Sequence, residues 1–510
     1  MPFSILTVNP VYKQRAQSLL CTIGCPLLAG YNAAMNSTVS VELTRMAATG
    51  EAIGRDEEGH LVFVADAVPG ETVEVEIVHE GQRWRRGLLR RVLAASPDRI
   101  EATCPHFGPP QPVTLGDGVL INPSWRRAGC SGCQWQQIDY ERQLALKREI
   151  AVEILAREGG LDRSRRKSRE IANQMVAEVI AIAAPDGDIT AVAPPVLDFG
   201  FRTQMRFNLA ESGRLTYPAR GGEQLEVDTC PLLHPQLAKL FAGFVEGQGG
   251  EQGEQGVSAS YLGVTLAAGA TAGPMSDADK SVLVLHSDRG DLPNIELDQP
   301  ASVFLLHEAD EPSLELLVGD WSYNVGVAGH RLTAYPPVDD YPGSGHLLAD
   351  EVLAAVAEEL LELKTFEHLL ELGAGIGART ILLAERVATV VAVEESALGA
   401  AALRANLAEK DNADAWHGAM LPTIRKLRRA EYRFDAALVA PPDRQIEPEL
   451  FSLLTRMRIR RCGLITDDLT RLARALADVD EAGYRLAAVQ PIDLRPHHSN
   501  VTLVARFDRK

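Results

Sequence analysis

The chain has few cysteines, no surplus of basic residues and no long apolar run, and each lack excludes something. Seven cysteines in 510 residues, unevenly spaced, do not form the disulfide framework of a secreted protein. No apolar stretch reaches the length that spans a bilayer, so no membrane partner is expected. Basic residues number 51 against 69 acidic ones, a net charge of −18, which argues against a non-specific nucleic-acid coat. No long internal repeat is visible. The segment "SLLCTIGCPLLAG" (18–30) has a signal-peptide look, but the cysteine usage speaks for a cytoplasmic protein. Met35 is a candidate true start, which leaves residues 1–36 as an extension.

What is present divides the remainder into three. Residues 37–98 alternate as short strands, "TVSVELTRM", "HLVFVADAV", "TVEVEIVHE" and "RGLLRRVLA", broken by Gly50, Gly54, Gly59 and a "PGE" turn. That spacing predicts a small antiparallel barrel. Residues 99–336 read as a mixed α+β region, with helices after Tyr140 and along the basic run, strands at "RTQMRFNLAES" and "GRLTYPA", and an exposed low-complexity loop at 245–259. From 337 to 510, strands alternate with helices and the chain ends in a hairpin, which predicts a doubly wound, Rossmann-like α/β domain. Four arginine-rich stretches, "QRWRRGLLRR" (82–91), "RSRRKSR" (163–169), "RKLRR" (425–429) and "RMRIRR" (456–461), lean towards a polyanionic partner.

In the α/β domain the first strand runs into "ELGAGIGART" (371–380). Gly373, Gly375 and Gly377 permit a tight turn and close backbone approach to a ligand. The second strand ends in Glu394, 23 residues after Glu371, where a carboxylate can accept hydrogen bonds from ribose hydroxyls. A tight turn with no ligand is the alternative. The opening Glu371 and the terminal hairpin favour S-adenosylmethionine over NAD.

The pair in "AGCSGCQWQQIDYERQLALK", Cys130 and Cys133, is compatible with zinc, an iron–sulfur cluster, a redox dithiol or a plain turn. With "GEAIGRDEEGHLVFVADAVPGETVEVEI", "CPHF", "FRTQMRF", "DTCPL" and the closing "GYRLAAVQPIDLRPHHSNVTLVARF", the sequence resembles the S-adenosylmethionine-dependent RNA uracil-5 methyltransferases that carry an N-terminal TRAM barrel. The resemblance implies a class I methyltransferase domain at the C-terminus, an RNA-binding barrel and a [4Fe–4S] cluster on Cys104, Cys130, Cys133 and Cys230. It implies RNA, rRNA or tRNA, as partner of a monomeric protein. Here 25 residues separate Cys104 from Cys130, where the family has only a few, an insertion that loop-closure entropy tolerates. Four cysteines suit zinc as well. Cys21, Cys25 and Cys462 fall outside the set and read as structural.

The family's chemistry adds a cysteine thiolate to carbon 6 of uracil, making carbon 5 nucleophilic, and a base then removes its proton. In "TDDLTRLARAL" (466–476) the nucleophile's position holds Asp467, a far weaker conjugate-addition nucleophile. Cys462 lies five residues upstream and reaches the site only through a register shift. The base position holds Thr502, "APPDR" puts Ala440 where the family has an aspartate, and Leu347 replaces a glutamine that touches the cofactor. His497 and His498, near the base position, read as surface residues. The sequence therefore predicts an RNA methyltransferase-type protein that binds RNA and S-adenosylmethionine, whose family reaction is methylation of uridine at carbon 5. The alternative is a catalytically silent RNA-binding paralogue. A radical methylthiotransferase is set aside, because "CTIGCPLL" has Leu28 where a third cysteine is required.

Overall fold

A computed structural model of the chain describes residues 6–7, 37–108, 113–114, 120–121, 129–183, 196–210, 212–220, 222–246, 261–269, 281–288, 300–308, 313–336, 345–441 and 446–510. The extension with Cys21 and Cys25, and most of the loop expected at 245–259, lie outside these residues.

Five strands, β1 (Thr38–Met46), β2 (Ala52–Arg55), β3 (Leu61–Val64), β4 (Thr72–Glu80) and β5 (Trp84–Ala94), form a sheet in the order β3-β2-β1-β4-β5. Pairing of β3 with β5 closes it into a barrel. Alternate residues such as Val41, Leu43, Val73 and Val75 point inward and are buried, as the period of two dictates. Gly54 is needed for the close crossing, since a Cβ there would stand 2.1 Å from the Glu42 carbonyl oxygen. Part of the 25-residue insertion extends this sheet, where the two-residue strand Leu120–Ile121 pairs with β5.

Helix α1 (Tyr140–Glu158) starts at Asp139, whose carboxylate accepts from the backbone N–H groups of Glu141 and Arg142. Helix α2 (Arg165–Met175) follows, its basic residues exposed. Beyond it, β6 (Gln204–Leu209), β7 (Leu215–Pro218), β8 (Gln224–Glu226), helix α3 (Pro235–Glu246), β9 (Tyr261–Ala268), β10 (Ser281–Ser287), β11 (Ala301–His307) and β12 (Ser313–Val318) build a mixed sheet in the order β12-β11-β10-β9-β6-β7-β8. The strands β9 to β12 are more extensive than the sequence predicts. Runs such as "SVLVLHS" are buried along their whole length and carry no alternation to announce a strand. A hairpin, β13 (Tyr323–Val327) and β14 (His330–Ala334), leads onward.

The last region contains α4 (Ala349–Leu360), β15 (His368–Leu372), α5 (Ala378–Ala384), β16 (Thr389–Glu394), α6 (Ala397–Leu407), β17 (Ala413–His417), α7 (Met420–Arg429), β18 (Ala436–Val439), α8 (Pro448–Arg456), β19 (Arg461–Thr466), α9 (Leu469–Glu481), β20 (Tyr484–Ile492) and β21 (Thr502–Arg509). The sheet order is β17-β16-β15-β18-β19-β21-β20, parallel from β17 to β19 and antiparallel at β21 and β20. The order reverses at β15, so the carboxyl ends of β15 and β18 open a crevice there. Edge strand β17, half-exposed and polar, is one the sequence pattern does not signal. Among the described residues no helix is long and apolar enough to cross a membrane.

Candidate active site and cysteine pocket

The glycine loop follows β15 and passes through three left-handed residues, Gly373 (φ +77°), Gly375 (φ +60°) and Gly377 (φ +88°). A Cβ on Gly373 would stand 2.0 Å from the carbonyl oxygen of Ala440, so this glycine lets the loop cross the end of β18. A buried brace fixes the loop. The Glu371 carboxylate accepts from Thr380 Oγ1 at 2.7 Å and from Arg379 Nε at 3.2 Å. Arg379 also pairs with Asp350 at 2.7 Å and donates to the Gly373 carbonyl at 2.7 Å. Burial pushes the Glu371 carboxyl upward, and the Arg379 guanidinium opposes that rise. Glu371 thus acts on the loop's own scaffold.

Glu394, at the end of β16, is 9% exposed. Its two oxygens accept from the N–H groups of Gly375 (2.8 Å) and Ser396 (2.7 Å). Gly399 lies close, since a Cβ on it would come within 2.9 Å of the Glu394 side chain. Each carboxylate oxygen keeps capacity for a further donor. The glycines and Glu394 make a shaped, anionic rim of the kind that a nucleoside hydroxyl pair fits.

The residues at the reactive positions are arranged otherwise. Asp467 directly follows β19, and its carboxylate faces Arg495 at 3.5 Å. Asp468, the next residue, caps α9 by accepting from the Arg471 N–H at 2.9 Å. Thr502 begins β21, opposite Ile492 of β20, and is buried. Leu347 is half-buried and packs among apolar side chains of the neighbouring sheet. Cys462 is fully enclosed in the sheet core, where burial pushes its thiol upward, and the structure does not bring it to the crevice.

His497 corrects the sequence reading, since it is buried rather than a surface residue, while His498 is half-buried. His497 is 3% exposed, covered by Tyr140, Gln143 and Phe199. Its carbonyl oxygen accepts from the N–H groups of Gln134 and Trp135, and its own N–H donates to Gln143. Burial drives His497 down to about 4 and His498 down to about 3. Side chains from α1, some 350 positions away in the chain, cover this loop, so no local pattern announces the burial.

Cys104, Cys130, Cys133 and Cys230 converge on one pocket, lined also by Phe107, Gln136 and Tyr217. N–H donors aim at the sulfurs: Gln136 Nε2 at Cys133 (3.1 Å) and the Gly132 N–H at Cys130 (3.4 Å). Backbone N–H groups of Phe107 and Leu232 favour the thiolates of Cys104 and Cys230. Burial pushes all four thiols up, Cys130 to about 12. Such donors are idle beside neutral thiols and useful beside sulfur that carries charge. No three of these sulfurs lie within 4.8 Å of one another. Tetrahedral zinc with Zn–S bonds of about 2.3 Å would draw them to about 3.8 Å.

Comparison with known proteins bears on the fold and on the crevice. No family profile matches the chain. It is 25% identical over 485 residues, 92% of this chain and 95% of the other, to the 23S rRNA (uracil(1939)-C(5))-methyltransferase RlmD of Yersinia enterocolitica. It is 27% identical over 486 residues, 93% of this chain and 94% of the other, to RlmD of Pectobacterium atrosepticum. Over nine-tenths of its length the chain is thus similar to proteins named as RNA uracil-C5 methyltransferases. The crystal structure of the Pyrococcus abyssi tRNA (uracil-54, C5)-methyltransferase in complex with S-adenosyl-L-homocysteine matches with a TM-score of 0.62 at 17% identity, covering 91% of this chain and 99% of that one. That match shows the fold, a class I methyltransferase fold.

Arg379 is the site residue that sequence reasoning missed. The signal available was a lone arginine in the apolar run "ARTILLA", eight residues after the buried acid it serves and across the glycine loop from it.

Proposed function

We propose that this chain binds RNA and S-adenosylmethionine as an RNA uracil-C5 methyltransferase-type protein. Its barrel is then a TRAM-type RNA contact, and a [4Fe–4S] cluster sits on Cys104, Cys130, Cys133 and Cys230. The observation that carries the reading is the glycine loop, braced by Glu371 and Arg379 and faced by Glu394, in a chain similar to RNA methyltransferases over nine-tenths of its length. Bound S-adenosylmethionine supplies an activated methyl group on a sulfonium. Gly373 and Gly375 give it room, and Glu394 holds its ribose hydroxyls. The N–H donors on the sulfurs support ligands that carry charge, and four thiolates are the soft set that a cluster takes. Ligand thiols that must stay reduced suit the cytoplasm.

The reaction of the type is methylation of uridine at carbon 5, and the binding apparatus for it is retained. The thiolate step is not. Asp467 is a poor conjugate-addition nucleophile, and it is also held by Arg495. That pair favours a second reading, in which the site binds its ligands without transferring the methyl group by the usual route.

Two measurements test this. Calorimetry with S-adenosylmethionine and a filter assay with rRNA fragments should both show binding; absence of both overturns the proposal. Incubation with 5-fluorouracil-substituted RNA should give no denaturation-resistant adduct, because no thiol reaches carbon 6. An adduct that disappears in Cys462→Ala would show that β19 is shifted and the ordinary reaction survives.

A further inference from the structure

The strand-start edge of the α/β domain, opposite the crevice, carries a group of cations that the methyl-transfer site does not use. Helices α7 and α8 run side by side towards this edge and end in Arg428 and Arg429, and in Arg456. Each chain then turns back into adjacent parallel strands, with Ala436 opposite Arg461, and on the way exposes Arg433 and Arg458. All five arginines are exposed, and none forms an ion pair among the described residues. Glu431 interrupts the run, and Asp435 and Glu367, at the starts of β18 and β15, are paired with Arg460 and Arg461. In a chain of net charge −18, unneutralised arginines gathered on one edge create a local positive field. Phe366, 72% exposed, stands at the same edge, two residues before β15, the strand paired with β18. Tyr432, 36% exposed, adds a second ring beside Arg433.

Arginines that pair with phosphates, set beside an exposed ring on which a base can stack, are the combination that binds unpaired nucleotides. We infer that this edge is a second RNA contact surface, holding a single-stranded segment of the bound RNA against Arg428, Arg429, Arg433, Arg456 and Arg458 with a base on Phe366. It lies about 15 Å, the length of a ten-residue helix, from the crevice. One RNA can therefore engage both ends of the sheet. The inference rests on the proposed RNA-binding function, and the test separates the two.

The test is fluorescence anisotropy with labelled rRNA fragments and bulk tRNA across a salt series, on the full chain. Changing the five arginines to Gln should weaken binding about tenfold or more near 0.1 M salt and reduce the slope of log affinity against log salt by about 3–4. Phe366→Ala should weaken binding about fivefold with the salt slope unchanged. Melting temperature and S-adenosylmethionine affinity should stay at wild-type values in both, since every changed residue is exposed and far from the crevice. RNA affinity and salt slope unchanged in both variants, with the wild type binding, would overturn the second surface and leave the proposed function standing. A loss seen with heparin but not with RNA would overturn it too. Failure of the wild type to bind RNA would overturn both.

Discussion

The cysteine pocket brings together all four sulfurs that the sequence singles out, whereas the crevice at the strand ends keeps the glycine loop and Glu394 beside residues that do not match the expected reactive groups. In the first, four sulfurs and their N–H donors are all in place. In the second, the glycines, Glu394 and the brace remain, while Asp467, Thr502, Ala440 and Leu347 fill the positions where chemistry and recognition are expected. Binding a group and reacting with it make different demands. A cradle depends on backbone shape, which many side chains tolerate. A conjugate addition depends on one atom, and a single exchange removes it.

The two regions are mechanically joined. Gln134 and Trp135, directly after Cys133, donate to the His497 carbonyl, and the loop from Asp493 to Ser499 leads into Thr502 and β21. Lys147 of α1, fully buried, pairs with Asp493 at 2.5 Å and donates to the Arg495 carbonyl. The cysteine segment therefore holds the loop that joins β20 to β21. The proposed cluster would have structural work here whether or not methyl transfer takes place.

The sharpest way to break the comparison is at the cysteines. Cys133→Ala should abolish iron content and absorbance near 400 nm, and destabilise the protein by more than about 4 kcal/mol, as losses of a metal site do. Anaerobic purification with iron assay and thermal melting checks this. A colourless wild-type protein with stoichiometric zinc would replace the cluster by a single ion. The next largest effect belongs to the frame of the crevice. Gly373→Ala sets a Cβ 2.0 Å from a carbonyl oxygen at a positive φ, costing about 3 kcal/mol through forced backbone movement. S-adenosylmethionine binding, measured by calorimetry, should fall below detection while the iron content stays.

Much of this contrast is legible in the sequence, and what is not has physical reasons. The glycine spacing, the acid at the end of β16 and the cysteine set are local or ordered along the chain, so pattern exposes them. Asp467 and Thr502 are read as replacements because β19 and the hairpin match their motifs residue by residue. Arg379 escapes, since its partners Asp350 and Glu371 come from two other elements. The pairing of Asp467 with Arg495 escapes because it joins β19 to a loop beyond the next helix and strand. Strands β10 and β11 escape because a strand buried on both faces loses its alternation.

A smaller, shared effect is acid sensitivity. His346 and His497 are each held near 4 by burial, against 6.5 for a free imidazole. Between those values the unfolded chain takes up protons that the folded chain refuses, so stability falls as pH drops from 6.5 towards 4. His346 stacks on Phe201 just before Leu347, and His497 packs on Phe199 in the loop that leads into β21. Urea midpoints should decline over this window, with the decline reduced in His497→Gln. A flat profile would mean that His497 is hydrated in solution.

The smallest effect separates shape from charge at Glu394. Its carboxylate accepts from two backbone N–H groups, Gly375 on the loop and Ser396 ahead of α6. In Glu394→Gln the side chain keeps its size, but one of those N–H groups must face the new NH2, a donor against a donor. The loop then loses one charge-assisted hydrogen bond and weakens another, a cost of about 1–2 kcal/mol. Because the amide is also a poorer acceptor for ribose hydroxyls, S-adenosylmethionine affinity should drop about tenfold, with enthalpy carrying the loss. The cysteine pocket, whose donors are Gln136 and backbone groups far from this loop, should keep its full iron content. If affinity falls but adenosine binds with wild-type strength, the carboxylate acts on the loop alone and the ribose role is wrong. If both fall together, Glu394 touches the nucleoside, and the frame of the crevice remains a working binding site despite the missing thiolate.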